Sequence, residues 1–306
     1  MRAFYQLAKQ IYDMKNPREA RRAVIFCIRA ILHRGQMQKL DAFLKRDALL
    51  TELAGIYPFV YEQPTRAFFY SHSTFDTRVA LIESHMEFLR EHMRDEIVLS
   101  LYRKEAFSLW SGIECCGKIL SASLFFEPGQ RKEGLLSVML RMGEVSFYQI
   151  IFWIAPAHDG SPAMWIGAMQ GPNMENARDM VKAATKVCHS YRTKNLILYI
   201  AQGVARSLGL RHIYAVTNKG YYANNHIRID RKLKTDFSEF WRESGGIIMG
   251  DTRFMELPLT EIRKTMEEVP TRKRAVYRRR FAFLDALDEE IETSMGRLLK
   301  DVGEKT

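Results

Sequence analysis

Met164-Trp165-Ile166-Gly167-Ala168-Met169-Gln170-Gly171-Pro172-Asn173 decides how this chain is read. A mostly apolar run breaks on Gly-Pro-Asn, and helical spacing begins at once. A strand that stops abruptly and feeds a helix is a strand–helix junction, and ligands of α/β units gather at such carboxyl ends. Helical spacing then predicts one helix from Met174 to about Ser190 and another from Asn195 to Leu208. Gly209 is placed to close the second, because glycine adopts the left-handed conformation that helix ends favour. Asn173 is positioned to cap the first helix, and Thr193 or Asn195 the second. Residues 211–218 read as a strand. A strand, two helices and a strand make a crossover, so the two strands pair parallel.

Upstream, residues 97–102, 107–110, 117–126, 135–142 and 145–154 read as short strands, with Met142-Gly143-Glu144 as a hairpin turn. These predict an antiparallel meander. Joined to the crossover it gives an α+β fold: a mixed, mostly antiparallel sheet flanked by helices, in an acetyltransferase-like (GNAT-like) arrangement. Residues 1–58 read as a basic helical N-terminal region and 59–306 as the α+β core domain. In the first region Pro17 opens a helix with a wide apolar face and many arginines, a pattern that suits either an anionic membrane surface or packing with the charges in water. Residues 74–93 read as another helix. Near the end, Arg272, Lys273, Arg274, Arg278, Arg279 and Arg280 precede a Phe281-Leu284-Leu287-Ile291 stripe, so this basic block lies on a helix.

The chain has 306 residues, 47% hydrophobic and 27% charged, which suits a globular protein with a sizeable core. Its formal charge of +10 gives weight to acidic partners such as anionic lipid or phosphates. Cys27, Cys115, Cys116 and Cys188 fit neither a CxxC pair nor a zinc site, so reduced thiols in a cytoplasmic compartment are expected. The first residues are interrupted by charges and no long uncharged apolar window occurs, so neither a signal peptide nor a membrane span is expected. The expectation is a cytoplasmic protein, soluble or peripheral at the inner membrane.

Several separated motifs occur in one order over roughly residues 20–290: the 165–173 run, Ala177-Arg178, Thr185-Lys186 with Cys188-His189, Gly209-Leu210-Arg211, Val216-Thr217-Asn218, Phe240-Trp241 with Gly245-Gly246, Pro270, Lys273-Arg274-Ala275 and Tyr277-Arg278-Arg279-Arg280. Together they resemble the VirK/YbjX family of Gram-negative bacterial proteins. The chain departs from that pattern at one point: a His often follows the strand-end Asn by three positions, and here Tyr221 stands there, with His226 further on. The resemblance implies a virulence- and envelope-associated role in cell-envelope homeostasis and in resistance to cationic antimicrobial peptides. It implies no reaction.

Two functional classes follow. In the first, the protein is a peripheral binding factor whose partners are an anionic membrane surface or envelope proteins. Its anion or lipid surface is then the basic block from Arg272 to Arg280; nucleic acid is disfavoured, because aromatics are sparse around that block. In the second it is an acyltransferase that takes a small-molecule donor of the acyl-CoA type at the 167–173 strand end. Gln170, Gly171 and Asn173, with Arg178, Lys182 and Lys194, would hold the anionic cofactor near a helix N-terminus, and His189 and Asn218 would serve catalysis. Each residue also has a plain structural role open to it: caps for Asn173 and His189, a solvated basic face for Arg178 and Lys182, and core filling for Trp153, Trp165 and Trp241.

Overall fold

The computed structural model describes residues 2–224 and 236–301. Four helices open the chain: α1 (Arg2–Ile11), α2 (Pro17–Leu32), α3 (Arg34–Leu44) and α4 (Ala48–Ile56). Asn16 caps α2 by accepting the Arg18 N–H, and Pro17 stands in the first turn, where no N–H is needed. Asp47 caps α4 in the same way, through Leu50. Then follow α5 (Phe75–His92), capped by the Thr74 hydroxyl, and α6 (Asp95–Tyr102). α6 corrects the strand expected at 97–102. Its buried residues Val98, Leu101 and Tyr102 recur at helical spacing, and Asp95 and Glu96 occupy the first turn, where the helix dipole favours acids.

The meander is present as β1 (Phe107–Cys115), β2 (Lys118–Phe125), β3 (Leu136–Met142) and β4 (Val145–Pro156). Gly143, at φ +60°, turns β3 into β4 beside a fully exposed Glu144. β5 (Pro162–Gln170) follows, then α7 (Ala177–Val187), α8 (Thr193–Ser207) and β6 (His212–Val216). β5 pairs antiparallel with β4 and parallel with β6, as a crossover requires. Gly209, at φ +69°, ends α8, and the Leu210 N–H donates back to the Ala205 carbonyl at 3.0 Å. The chain closes with α9 (Phe237–Glu243), β7 (Ile247–Ile248), β8 (Phe254–Leu257) and α10 (Arg274–Gly296).

The sheet order is β1-β2-β3-β4-β5-β6-β8-β7. Among the described residues every neighbouring pair except β5–β6 is antiparallel, so the fold is α+β with a mixed, mostly antiparallel sheet. β4 is buried without a break from Gln149 to Ala155, on both sides of its pleat, so both faces of the sheet are covered. α5 covers one face, with the N-terminal helices packed behind it, while α7, α8 and α10 cover the other. From α5 the fully buried His85 accepts the Ile154 N–H on Nδ1 at 3.0 Å, beyond the last β3 pair, Leu136↔Phe152. Burial holds the His85 pKa down to about 3, so the ring is neutral. One buried apolar cluster runs from Ala8 in α1 to Leu298 after α10, and the basic N-terminal helices pack on that same core.

Candidate functional site

The register of β4 against β5 slips between Ile151↔Ala168 and Phe152↔Ile166, which leaves Gly167 as the extra residue of a bulge. A Cβ at Gly167 would overlap the Glu133 carbonyl oxygen, so glycine is what lets the segment before β3 lie against β5. That approach brings Glu133, only 5% exposed, to the carboxyl ends of β5 and β6. The Tyr221 hydroxyl donates to Glu133 Oε1 at 2.7 Å, and Gln170 Nε2 donates to Oε2 at 2.8 Å. The carboxamides of Gln130 and Gln170 also exchange two bonds, of 2.8 and 2.7 Å. Burial pushes the Glu133 carboxyl up, against the pull of Tyr221, Gln170 and Lys132. Burial, followed by the Glu133 charge, pushes Tyr221 up further still, so the phenol keeps its proton and donates it. A buried carboxyl paired with a phenol at strand ends can exchange a proton, and it can equally pin two loops together.

Sequence reasoning placed Gln170 here and missed Glu133, because the contact that gives it meaning lies 88 residues away. The only signal was Tyr221, standing where the family pattern often has His. His226 lies outside the described residues.

The other predicted residues do not converge on this cluster. Gly171 and Asn173 are exposed, and α7 starts later than expected: its N-cap is Asn176, which makes no side-chain cap bond. Asn173 therefore does not cap the helix. Glu175 and Asp179 flank that start, and Pro172 has no N–H, so an anionic group finds little to hold it there. Arg178 is exposed, Lys182 lies 3.6 Å from Asp179, and Lys194 reaches Glu243 of α9 at 3.1 Å across the Phe240 ring. Thr193 is the first residue of α8, whose N-cap is Arg192, again without a side-chain bond. His189 lies just past α7 at φ +53°, its ring against Phe283 of α10 and its carbonyl accepting from Arg280 Nε at 3.2 Å. Asn218 acts elsewhere: its Oδ1 accepts the Phe237 N–H at 2.8 Å and its Nδ2 donates to Asp236 at 2.9 Å, which ties the end of β6 to the start of α9.

The C-terminal basic block divides into two sets. Arg274 donates to the Val269 carbonyl and Arg280 to those of His189 and Ser190, so both are structural. Arg272, Lys273, Arg278 and Arg279 are exposed, with no large apolar side chain exposed among them.

α2 is different. Ala23, Phe26 and Ala30 bury one side of it. On the other side Val24 is 57% exposed, Ile28 53%, Ile31 42% and Leu32 75%, and at 100° per residue these four share one stripe. Arg21 falls on the same stripe and Arg18 lies beside it, while Glu19 points away and pairs at 3.0 Å with Arg22, which sits nearer the buried side. Tyr5 of α1 and Met14 in the connection to α2 are exposed as well. Contiguous exposed aliphatics of this kind mark an interaction surface, where a single one would mean nothing. Among the described residues, no helix is long and apolar enough to cross a membrane.

Comparison with known proteins agrees with the motif pattern. An uncharacterized protein of Haemophilus influenzae is 27% identical over 297 residues, covering 94% of each chain. The uncharacterized protein YbjX of Escherichia coli is 32% identical over 165 residues, 53% of this chain and 49% of its own. No solved structure matches. The family described as "Protein of unknown function (DUF535)" matches residues 15–293, and the chain belongs to that family.

Proposed function

We propose that this protein is a peripheral factor that docks on an anionic membrane surface through α2, at the cytoplasmic face of the inner membrane. There it supports envelope homeostasis and resistance to cationic antimicrobial peptides, as the VirK/YbjX resemblance implies. The observation that carries this reading is the uncovered stripe Val24, Ile28, Ile31 and Leu32 with arginines on and beside it. Burying one such side chain fully in an apolar medium contributes about 1.5–3 kcal/mol, and each basic residue near an anionic surface about 1 kcal/mol. The test is co-sedimentation with phosphatidylglycerol-containing vesicles and with neutral phosphatidylcholine vesicles. The wild type pellets with the anionic vesicles, and the triple variant Val24→Ser, Ile28→Ser, Leu32→Ser loses at least about tenfold in affinity while its melting temperature is unchanged. A variant that pellets like wild type, or a wild type that ignores anionic vesicles, sinks the reading.

Acyl transfer with an acyl-CoA-type donor at the 167–173 strand end is the second reading. One observation favours it, the buried Glu133–Tyr221 pair beside Gln170. Saturable binding of acetyl-CoA that Glu133→Gln abolishes would support it; no change in melting temperature at millimolar acetyl-CoA would remove it.

A further inference from the structure

Three arginines converge on the helical turn Gln63–Thr65, which packs against both α2 and α5. Arg29 of α2 donates Nη1 to the Thr65 carbonyl at 2.7 Å, and Arg78 of α5 donates Nε to the adjacent Pro64 carbonyl at 2.8 Å. One turn beyond Arg29 the His33 ring stacks on Phe75 at 4.3 Å, and the Arg78 guanidinium lies 5.9 Å from that same ring. Arg66 follows the turn directly and is partly exposed, with Nε 3.3 Å from Glu62. The three feel one another's charge: burial, then Arg29, pulls Arg78 down to about 10, and burial, then Arg66, pulls Arg29 down as well.

The nearby acids do not balance them. Among the described residues Glu62, 2% exposed, is the only carboxylate within ion-pair distance of any of the three. Its Oε1 accepts from Arg66 and from the Tyr12 hydroxyl at 2.8 Å, and its Oε2 from Arg131 at 3.1 Å. Asp76, in the first turn of α5, is exposed and ion-pairs with none of them. Arg78, only 9% exposed, otherwise bonds the carbonyl of Ser73 and, at 3.2 Å, its hydroxyl, both neutral. Its Nη2 makes no bond, yet it is not sealed from solvent. A buried arginine is ordinarily paired with an acid; here neither Arg78 nor the exposed Arg29 has one. A phosphate monoester carries about −1.5 to −2 charge at pH 7 and fits guanidinium forks, so one such group offsets both, which a single carboxylate does not. We propose that Arg29, Arg66 and Arg78 bind a dianionic phosphate group, carried by the headgroup of an acidic lipid or by a soluble phosphate compound. Arg29 directly follows Ile28 of the exposed stripe, which suits the lipid; that source alone rests on docking through α2.

The full-length protein is titrated by calorimetry and thermal shift, at constant ionic strength, with inorganic phosphate and with dihexanoyl phosphatidic acid, a soluble lipid with a monoester headgroup. Phosphate should bind saturably below about 1 mM and raise the melting temperature. Arg29→Gln should weaken binding about fivefold or more without changing the melting temperature of the free protein, and Arg29→Lys should recover part of the loss. Arg279→Gln, in the exposed α10 block, should leave binding unchanged. With a lipid source, the phosphatidic acid binds at least about tenfold more tightly than phosphate, and Val24→Ser, Ile28→Ser, Leu32→Ser together bring the two level. Equal affinities for the wild type assign the site to a soluble phosphate. No saturable binding of either probe, or a loss in Arg279→Gln as large as in Arg29→Gln, overturns the proposal. Vesicle docking can fail while phosphate still binds at Arg29, so the two readings fall separately.

Discussion

Gly167 carries more of this structure than any side chain near it. Because its missing Cβ admits the Glu133 carbonyl, Gly167→Ala forces either the bulge or the 131–134 segment to move. The expected cost is at least about 3 kcal/mol, read as a lower denaturation midpoint or insoluble expression. Glu133 has a signed pH effect. Burial raises its folded pKa above the unfolded value, so the folded state binds more protons in that interval. Its contribution is fully present below the ordinary glutamate range and is lost as pH rises through the folded value. Glu133→Gln should therefore flatten the decline in melting temperature on going from about pH 4.5 upward, a slope of at most about 1.4 kcal/mol per pH unit. A profile that stays parallel to wild type would show that the carboxyl is not the group responsible. At this scale the sequence was only partly legible. Gly167, Gln170 and Tyr221 could be singled out from the chain, since a turn, a strand end and a departure from a pattern are local signals. Glu133 could not, because a charged residue in a loop is ordinary until a bulge buries it. Asn218 and His189 were visible as unusual residues, but their structural partners, Phe237 and Phe283, lie on elements distant in sequence.

Among the elements, α2 divides into two energetically different sides. Phe26, 2% exposed, should cost about 3–5 kcal/mol as Phe26→Ala, whereas Ile28→Ala on the open side should stay within about 0.5 kcal/mol. Urea denaturation of the two variants checks this directly; similar losses for both would mean that the stripe is covered in the folded protein. The sequence showed that α2 is amphipathic and basic, but not which apolar residues the core would leave uncovered. Ala23, Phe26 and Ala30 are its buried positions, and among the described residues Val24, Ile28, Ile31 and Leu32 stay exposed. Elsewhere, periodicity worked where it ran long, as in α5, α8, α10 and the meander. It failed at 97–102, where six apolar-rich residues suit strand and helix alike and the acids of the preceding turn decide. The pair β7 and β8 escaped notice because strands of two and four residues are too short to show alternation.

For the whole molecule, the sheet separates two chemically distinct exteriors. The N-terminal layer presents aliphatics with arginines, and the opposite layer presents the exposed cations of the α10 block without such a stripe. Only the first combination supplies both the apolar and the electrostatic part of binding to a bilayer surface, so the molecule should approach lipid with α2 leading. The net charge of +10 pointed to an anionic partner from the start, but charge alone would have favoured Arg272 to Arg280. The most direct measurement puts a reporter on the stripe: Ile28→Trp, mixed with phosphatidylglycerol vesicles whose acyl chains carry bromine. The native Trp110, Trp153 and Trp241 are buried and Trp165 lies on a strand away from α2, so wild-type protein supplies the background. Docking through α2 predicts that the added emission shifts to the blue and is quenched by the brominated chains, while wild-type emission changes little. An added emission that stays water-like, whether or not the protein pellets with the vesicles, would contradict docking through α2.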